Sequence, residues 1–268
     1  MRIAIIGWQG FVGSAFARLL ESQGVSFTGV DRSNYASHAG IEWDIAILAA
    51  ANSKKFVAEE RPLAELEQSL ELTSRILRDF PAQRHLLLST VDVYNDLTSP
   101  ATTREATPIN LEDLGNYGFH KRLSELLVLR HSPHPLVFRL AGMVGPGLKK
   151  NPVFDISSRL PIRIHPDSRY QFLHTERVAE IVWDLQSKLP AGEILNICGA
   201  GLVSPLEIAS MAGVDLDTSQ ASGPPRLVDI SIQKLKGLAT VSPSADAVAD
   251  FFKETLPHNG HNTNTAPG

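Results

Sequence analysis

Through most of this chain, short runs of apolar and β-branched residues alternate with longer stretches of helical period, and no other feature restricts the possible folds as strongly. The short runs are MRIAII (1–6), VSFTGVD (25–31), DIAILAA (44–50), RHLLLST (84–90), HPLVFRLAG (134–142) and EILNI (193–197). Between them lie helical patterns over 11–24, with Ala15, Leu19 and Leu20 inward, and over 62–80, 116–130 and 175–189. Strands that are apolar on both faces and separated by helices require a parallel sheet covered on each side, so an α/β, doubly wound sheet is expected. After Lys149 the pattern thins to a helix at 152–158, a short strand at 162–165 and helices at 205–211 and 244–255. A division follows: a core over 1–148, a small lobe over 149–256 interleaved with the last core elements, and a disordered tail over 257–268, which has almost no apolar content.

Composition narrows the partners. Of 268 residues, 43% are hydrophobic, enough for a substantial core. A formal charge of −4 offers no basic face to nucleic acid or an anionic membrane, and points to a small-molecule substrate. The single cysteine, Cys198, can form neither an internal disulfide nor a cysteine metal cluster, and reads as a small buried apolar side chain; no metal is expected. With no long apolar run and a strand in place of a leader pattern, a cytoplasmic protein is expected.

Chemistry enters at GWQGFVG, residues 7–13, between the first strand and the first helix. Gly7, Gly10 and Gly13 let the backbone approach an anion, and the helix N-terminus presents N–H groups to it; a dinucleotide pyrophosphate fits such a site. Asp31 closes the second strand, where a carboxylate accepts from the adenosine ribose hydroxyls and selects NAD. Arg32 beside it can receive the 2′-phosphate of NADP, so NADP stays open.

In NYGFHK, Tyr117 and Lys121 stand four apart, on one face of a helix. Bringing a tyrosine from near 10 down to neutrality takes about 3 pKa units, or about 4 kcal/mol. An ammonium about 4 Å away supplies about that much at an effective dielectric of about 20. STVDVY (89–94) ends the fourth strand at the sheet edge that faces ligands, where Thr90, Ser89 or Asp92 can meet a substrate oxygen.

In order and spacing, GWQGFVG, Asp31, DIAILAA, STVDVY, NYGFHK, RLAGMVGPG (139–147), FLHTERVAEIV (172–182) and EILNICGAG (193–201) resemble the extended short-chain dehydrogenase/reductase family of NAD-dependent epimerases and dehydratases. The resemblance implies a Rossmann-type sheet with a C-terminal substrate lobe and hydride transfer, with Tyr117 as acid/base, Lys121 on the nicotinamide ribose and Thr90 at the Ser/Thr position. It places Phe11 and Val12 over the pyrophosphate and Ala49, Ala50 and Ala51 beside the adenosine. It also implies a sugar substrate, often nucleotide-linked, with Asp92, Arg169 and His174 near it, and a homodimer through the tyrosine helix, for which Leu123, Leu126 and Leu127 are suited.

Departures lie mainly on the substrate side. Val91 and Asp92 stand where dehydratases carry Asp-Glu, Gly142 where nucleotide-sugar binders usually have asparagine, Tyr170 where they have arginine, and Ser69 where the family has a helix asparagine. These leave open a reductase of a smaller hydroxy or keto compound, and a dinucleotide-binding regulator without turnover.

Overall fold

A computed structural model describes residues 1–51 and 55–255. The elements, in chain order, are β1 (Ile3–Ile6), α1 (Gly13–Ser22), β2 (Thr28–Val30), α2 (Tyr35–His38), β3 (Trp43–Leu48), α3 (Lys55–Glu60), α4 (Pro62–Leu66), α5 (Leu72–Asp79), β4 (Ala82–Thr90), α6 (Asn116–His131), β5 (Pro135–Leu140), β6 (Gly142–Val144), α7 (Pro152–Ser157), β7 (Phe172–His174), α8 (Thr175–Leu185), β8 (Glu193–Ile197), α9 (Pro205–Ala212), α10 (Gln233–Lys236) and α11 (Ser244–Thr255).

Six strands form one parallel sheet in the order β2-β1-β3-β4-β5-β8. Strand alternation divides the core in two. Ile3, Ile5, Ile45, Ile47, Leu136 and Phe138 face α1 and α8, while Ala4, Ile6, Ala46, Leu48 and Val137 face α5 and α6. Each strand is buried on both sides, which is why it reads as a continuous apolar run. β2 and β3 flank β1 on opposite sides, so the chain reverses direction across the sheet there and leaves a crevice at the carboxyl ends of β1 and β3. A second cluster gathers Val144, Val153, Phe172, Ile208, Val248 and Phe252 around the parallel pair β6-β7.

Several expectations need correction. Residues 162–165 form no strand: Pro161 and Pro166 remove backbone donors on either side, and the buried Ile162 bonds only to the Asp217 carbonyl. The helix expected over 62–80 is interrupted by a π turn, Glu67–Glu71, and the second strand hydrogen-bonds over Thr28–Val30 alone. The helix at 175–189 stops at Leu185. β7 pairs with β6 inside a segment read only as a motif. The tail over 257–268 lies outside the described residues. Cys198 is fully buried and burial pushes its thiol pKa up, as an inert core side chain requires. No helix among the described residues is long and apolar enough to cross a membrane, and they contain no cluster of metal ligands.

Candidate active site

The glycine loop sits at the crevice mouth. Gly7 has φ +86°, and a Cβ there would lie 2.7 Å from the Ala50 nitrogen. A Cβ on Gly13 would lie 2.2 Å from the Gly7 carbonyl oxygen. Two of the three glycines are therefore demanded by backbone crossing backbone, whereas a Cβ on Gly10 would meet only the Gly7 carbonyl, at 3.1 Å. The loop closes through Gly10 N–H to the Gly7 carbonyl and Ser14 N–H to the Gly10 carbonyl. Between them, the N–H groups of Phe11, Val12 and Gly13 donate to no described residue, and α1 has no side-chain cap. Three unpaired N–H groups at a helix N-terminus form a cradle suited to an oxyanion, and this donor set fits a dinucleotide pyrophosphate.

Asp31 follows β2 beside this loop. Its Oδ1 accepts from the Ser33 N–H (2.8 Å) and the Ser33 hydroxyl (2.5 Å), and these bonds hold its carboxyl below the usual range. Both of these bonds fall on Oδ1, and the Trp8 side chain near the carboxyl adds to the lowering. Arg32 is exposed. Ala49 and Ala50 follow β3 half-buried against Gly7, with Ala51 exposed after them.

Further along the sheet edge, Thr90 caps a 3-10 turn, Val91–Val93. Its hydroxyl donates to Asp92 Oδ2 at 2.8 Å and accepts the Asp92 N–H. In the chain by itself the Thr90 hydroxyl proton is thus directed to Asp92. Asp92 Oδ1 in turn accepts from Lys55, a residue the sequence did not single out.

Helix α6 packs against this turn so closely that a Cβ on Gly118 would lie 2.3 Å from the Asp92 carbonyl oxygen. That contact brings Tyr117, the preceding residue, beside Asp92. Tyr117 and Lys121 are both buried, and Lys121 Nζ lies over the Tyr117 ring, 5.5 Å from its centroid. Neither side chain hydrogen-bonds to a described residue. Burial, with the charges of Asp92 and Glu65 added, pushes the Tyr117 hydroxyl pKa up, opposite to the direction the spacing argument expects. Burial dominates, and in the chain by itself the Lys121 ammonium rests over the ring face without bonding the hydroxyl to offset it. Burial brings Lys121 down to about 8, against the opposing pull of Glu65 and with Lys150 adding to it.

Two residues fall elsewhere. Arg169 is exposed, and its backbone pairs with Arg226 and Val228. His174 caps α8, accepting the Glu176 N–H on Nδ1 at 3.4 Å, while Nε2 meets Glu254 at 3.2 Å. Both its ring nitrogens are thus engaged. Of the helix leucines, Leu126 is exposed and Leu123 and Leu127 half-buried.

A buried network ties the helix to the sheet. Glu125 of α6 accepts from Arg139 Nε (3.0 Å) and Nη2 (2.8 Å), from Arg122 (2.7 Å) and from the Ser89 hydroxyl (2.6 Å). Arg139 also lies over the Tyr94 ring, 4.8 Å from its centroid.

Residues 3–198 match the model of the NAD-dependent epimerase/dehydratase family. The chain belongs to that family. Among solved structures it is similar to a UDP-galactose 4-epimerase, with 20% identity over 95% of this chain and 98% of that one and a TM-score of 0.77. It is also similar to RMD from Pseudomonas aeruginosa complexed with NADPH (21%, 94% and 99%, TM-score 0.75) and to MoeE5 in complex with UDP-glucose and NAD (17%, 96% and 100%, TM-score 0.74). At such identities the likeness establishes the Rossmann-type fold. No curated protein matches by sequence.

At Gly142 the structure supplies a physical reason for a departure. A Cβ there would lie 2.5 Å from the Gln171 carbonyl oxygen and 2.9 Å from the Phe172 ring, so the β6-β7 pairing leaves no space for an asparagine side chain. Tyr170 is likewise half-buried, its ring 6.3 Å from that of Phe172. The sequence reading missed Glu65 and His120, which with Ser69 form a buried cluster behind Tyr117 and Lys121. One signal was available, a glutamate on the inner face of a helix four residues before Ser69.

Proposed function

We propose that this chain is an NAD-dependent epimerase or keto-reductase of a sugar, with a nucleoside diphosphate sugar as the first substrate class to test. The observation that carries the reading is the pairing, at one sheet edge, of three unsatisfied N–H groups at Phe11–Gly13 with a buried tyrosine and lysine that bond to no described residue. Phe11, Val12 and Gly13 hold the pyrophosphate, Asp31 Oδ2 takes the adenosine ribose, Ala49 to Ala51 flank the adenosine, and Lys121 takes the nicotinamide ribose. When bound, the dinucleotide supplies a hydride acceptor at nicotinamide C4 and a positive ring charge. Tyr117, neutral at rest because it is buried among negative neighbours, donates its proton to a keto oxygen in one direction and recovers it from a hydroxyl in the other. Thr90 orients that oxygen once its hydroxyl turns from Asp92 to the substrate. Asp31 favours NAD over NADP, since its carboxylate would face a 2′-phosphate.

A second reading, reduction of a smaller keto compound with no nucleotide, is favoured by the filled space at Gly142 and the half-buried Tyr170. One assay separates the two. Incubation with UDP-hexoses, followed by chromatography of the sugars and by absorbance of reduced cofactor, should yield a new sugar with no net change in cofactor if the chain is an epimerase. Stoichiometric consumption of NADH with a small ketone, and no reaction with any UDP-hexose, would move the assignment to the second reading.

A further inference from the structure

The glycine loop carries one large side chain that the binding of a pyrophosphate does not use. Trp8, directly after Gly7, is half-buried and packs with Val12, Val25 and Phe27 against the α1 face of the core. Its ring lies on β2. A Cβ on Gly29 would stand 2.5 Å from Trp8 Cδ2, 2.6 Å from Cγ and 2.7 Å from Cε2, so glycine alone fits beneath the indole. Glycine inside a strand weakens it and marks a place where another group comes close. Here that group is an aromatic ring from the loop itself.

The ring stands beside Asp31. Side chains alternate along a strand, so with Val30 turned to the α5 and α6 side, Gly29 and Asp31 turn to the side that holds α1 and Trp8. The turn after β2 is pinned by Asn34, whose amide donates to the Gly29 carbonyl at 2.9 Å and whose Oδ1 accepts the Asp31 N–H at 2.8 Å. Ser33 holds carboxylate Oδ1 through two further bonds. The indole comes from the loop side. Its Nε1 is buried and, in the chain by itself, meets no acceptor with hydrogen-bond geometry. A buried tryptophan N–H usually finds a partner, and leaving it unpaired costs about 1–3 kcal/mol. The Asp31 carboxylate is the charged acceptor beside that ring.

We propose that Trp8 is a positioning residue through which the site selects NADH over NADPH. Seated on Gly29, its ring keeps the Asp31 carboxylate from swinging away from the Phe11–Gly13 cradle, and its N–H closes on that carboxylate once the adenosine ribose is bound. A carboxylate free to turn outward would leave the exposed Arg32 to receive a 2′-phosphate. Held in place, it accepts from a ribose hydroxyl and opposes a 2′-phosphate with like charge. The inference rests on the dinucleotide reading of the loop.

Isothermal titration of NADH and of NADPH into wild-type, Trp8→Ala and Trp8→Phe protein tests it through the ratio of the two affinities. In Trp8→Ala the preference for NADH should fall about tenfold, the worth of one hydrogen bond to a charged group. Trp8→Phe keeps a ring on Gly29 and loses the N–H, and should lower the preference by about threefold. A purely structural tryptophan would weaken both dinucleotides alike and leave the ratio unmoved. An unchanged or raised preference for NADH in either variant would overturn the proposal. Should Trp8→Ala fail to fold, Trp8→Phe alone decides by the same criterion. Wild-type protein that binds neither dinucleotide would remove the cofactor reading and this inference with it, whereas wild-type binding with an unmoved ratio in the variants would remove Trp8 alone.

Discussion

Replacing Tyr117 by phenylalanine lowers turnover by about 10²- to 10⁴-fold, the usual contribution of a positioned acid/base, and leaves dinucleotide binding intact. Two features make this substitution informative. The ring is buried and stays in place, with Lys121 over its face, so packing is preserved. The hydroxyl bonds to no described residue, so its removal leaves no orphaned partner and costs little stability. Initial rates and cofactor titration on the same preparation separate the two effects. A variant that turns over like the wild type would remove Tyr117 from the chemistry, whereas one that loses both cofactor and rate would indicate a structural role.

Glu125→Leu should destabilise the fold by about 3–5 kcal/mol, because it leaves the Arg139 guanidinium, 1% exposed, as an uncompensated buried charge. In a chain of this size the melting temperature should fall on the order of 10 °C. Glu125 collects bonds from β4, β5 and its own helix, so the same loss loosens α6 against the sheet and with it the register of Tyr117. The companion variant Glu125→Leu with Arg139→Met should recover much of the stability, since replacing a whole buried ion pair by apolar groups is often near neutral. Calorimetry on both variants checks this. A single variant as stable as the wild type would show that the network carries no net stability, and a double variant no better than the single would show that the unpaired arginine is not the cause.

The sheet and the glycine loop were legible because their signals are local. A parallel strand buried on both faces is a continuous apolar run, and the glycines at 7 and 13 are required by backbone contacts of under 3 Å that no other residue permits. EILNI and the helix from Ser244 to Thr255 were bounded correctly for the same reason, their apolar period stopping sharply at each end. What the sequence hid was tertiary. Nothing near Glu65 in the chain announces His120, fifty-five positions on, and the Ser89–Glu125–Arg139 network joins three elements. The bond from the Thr90 hydroxyl to Asp92 and the cap that His174 places on α8 likewise became visible only in the folded chain. The direction of the Tyr117 shift was missed because spacing shows neither the burial of the hydroxyl and its acidic neighbours nor whether the lysine ammonium reaches the ring or the hydroxyl.

The claim beneath all of this is that the loop from Gly7 to Gly13 holds a nicotinamide dinucleotide. Isothermal titration of NADH, and then of NADPH, into protein stripped of bound small molecules tests it most directly. The account predicts saturable binding of one dinucleotide per chain, with NADH the tighter of the two because of Asp31. Absence of binding by either dinucleotide, from protein shown to be folded, would contradict it.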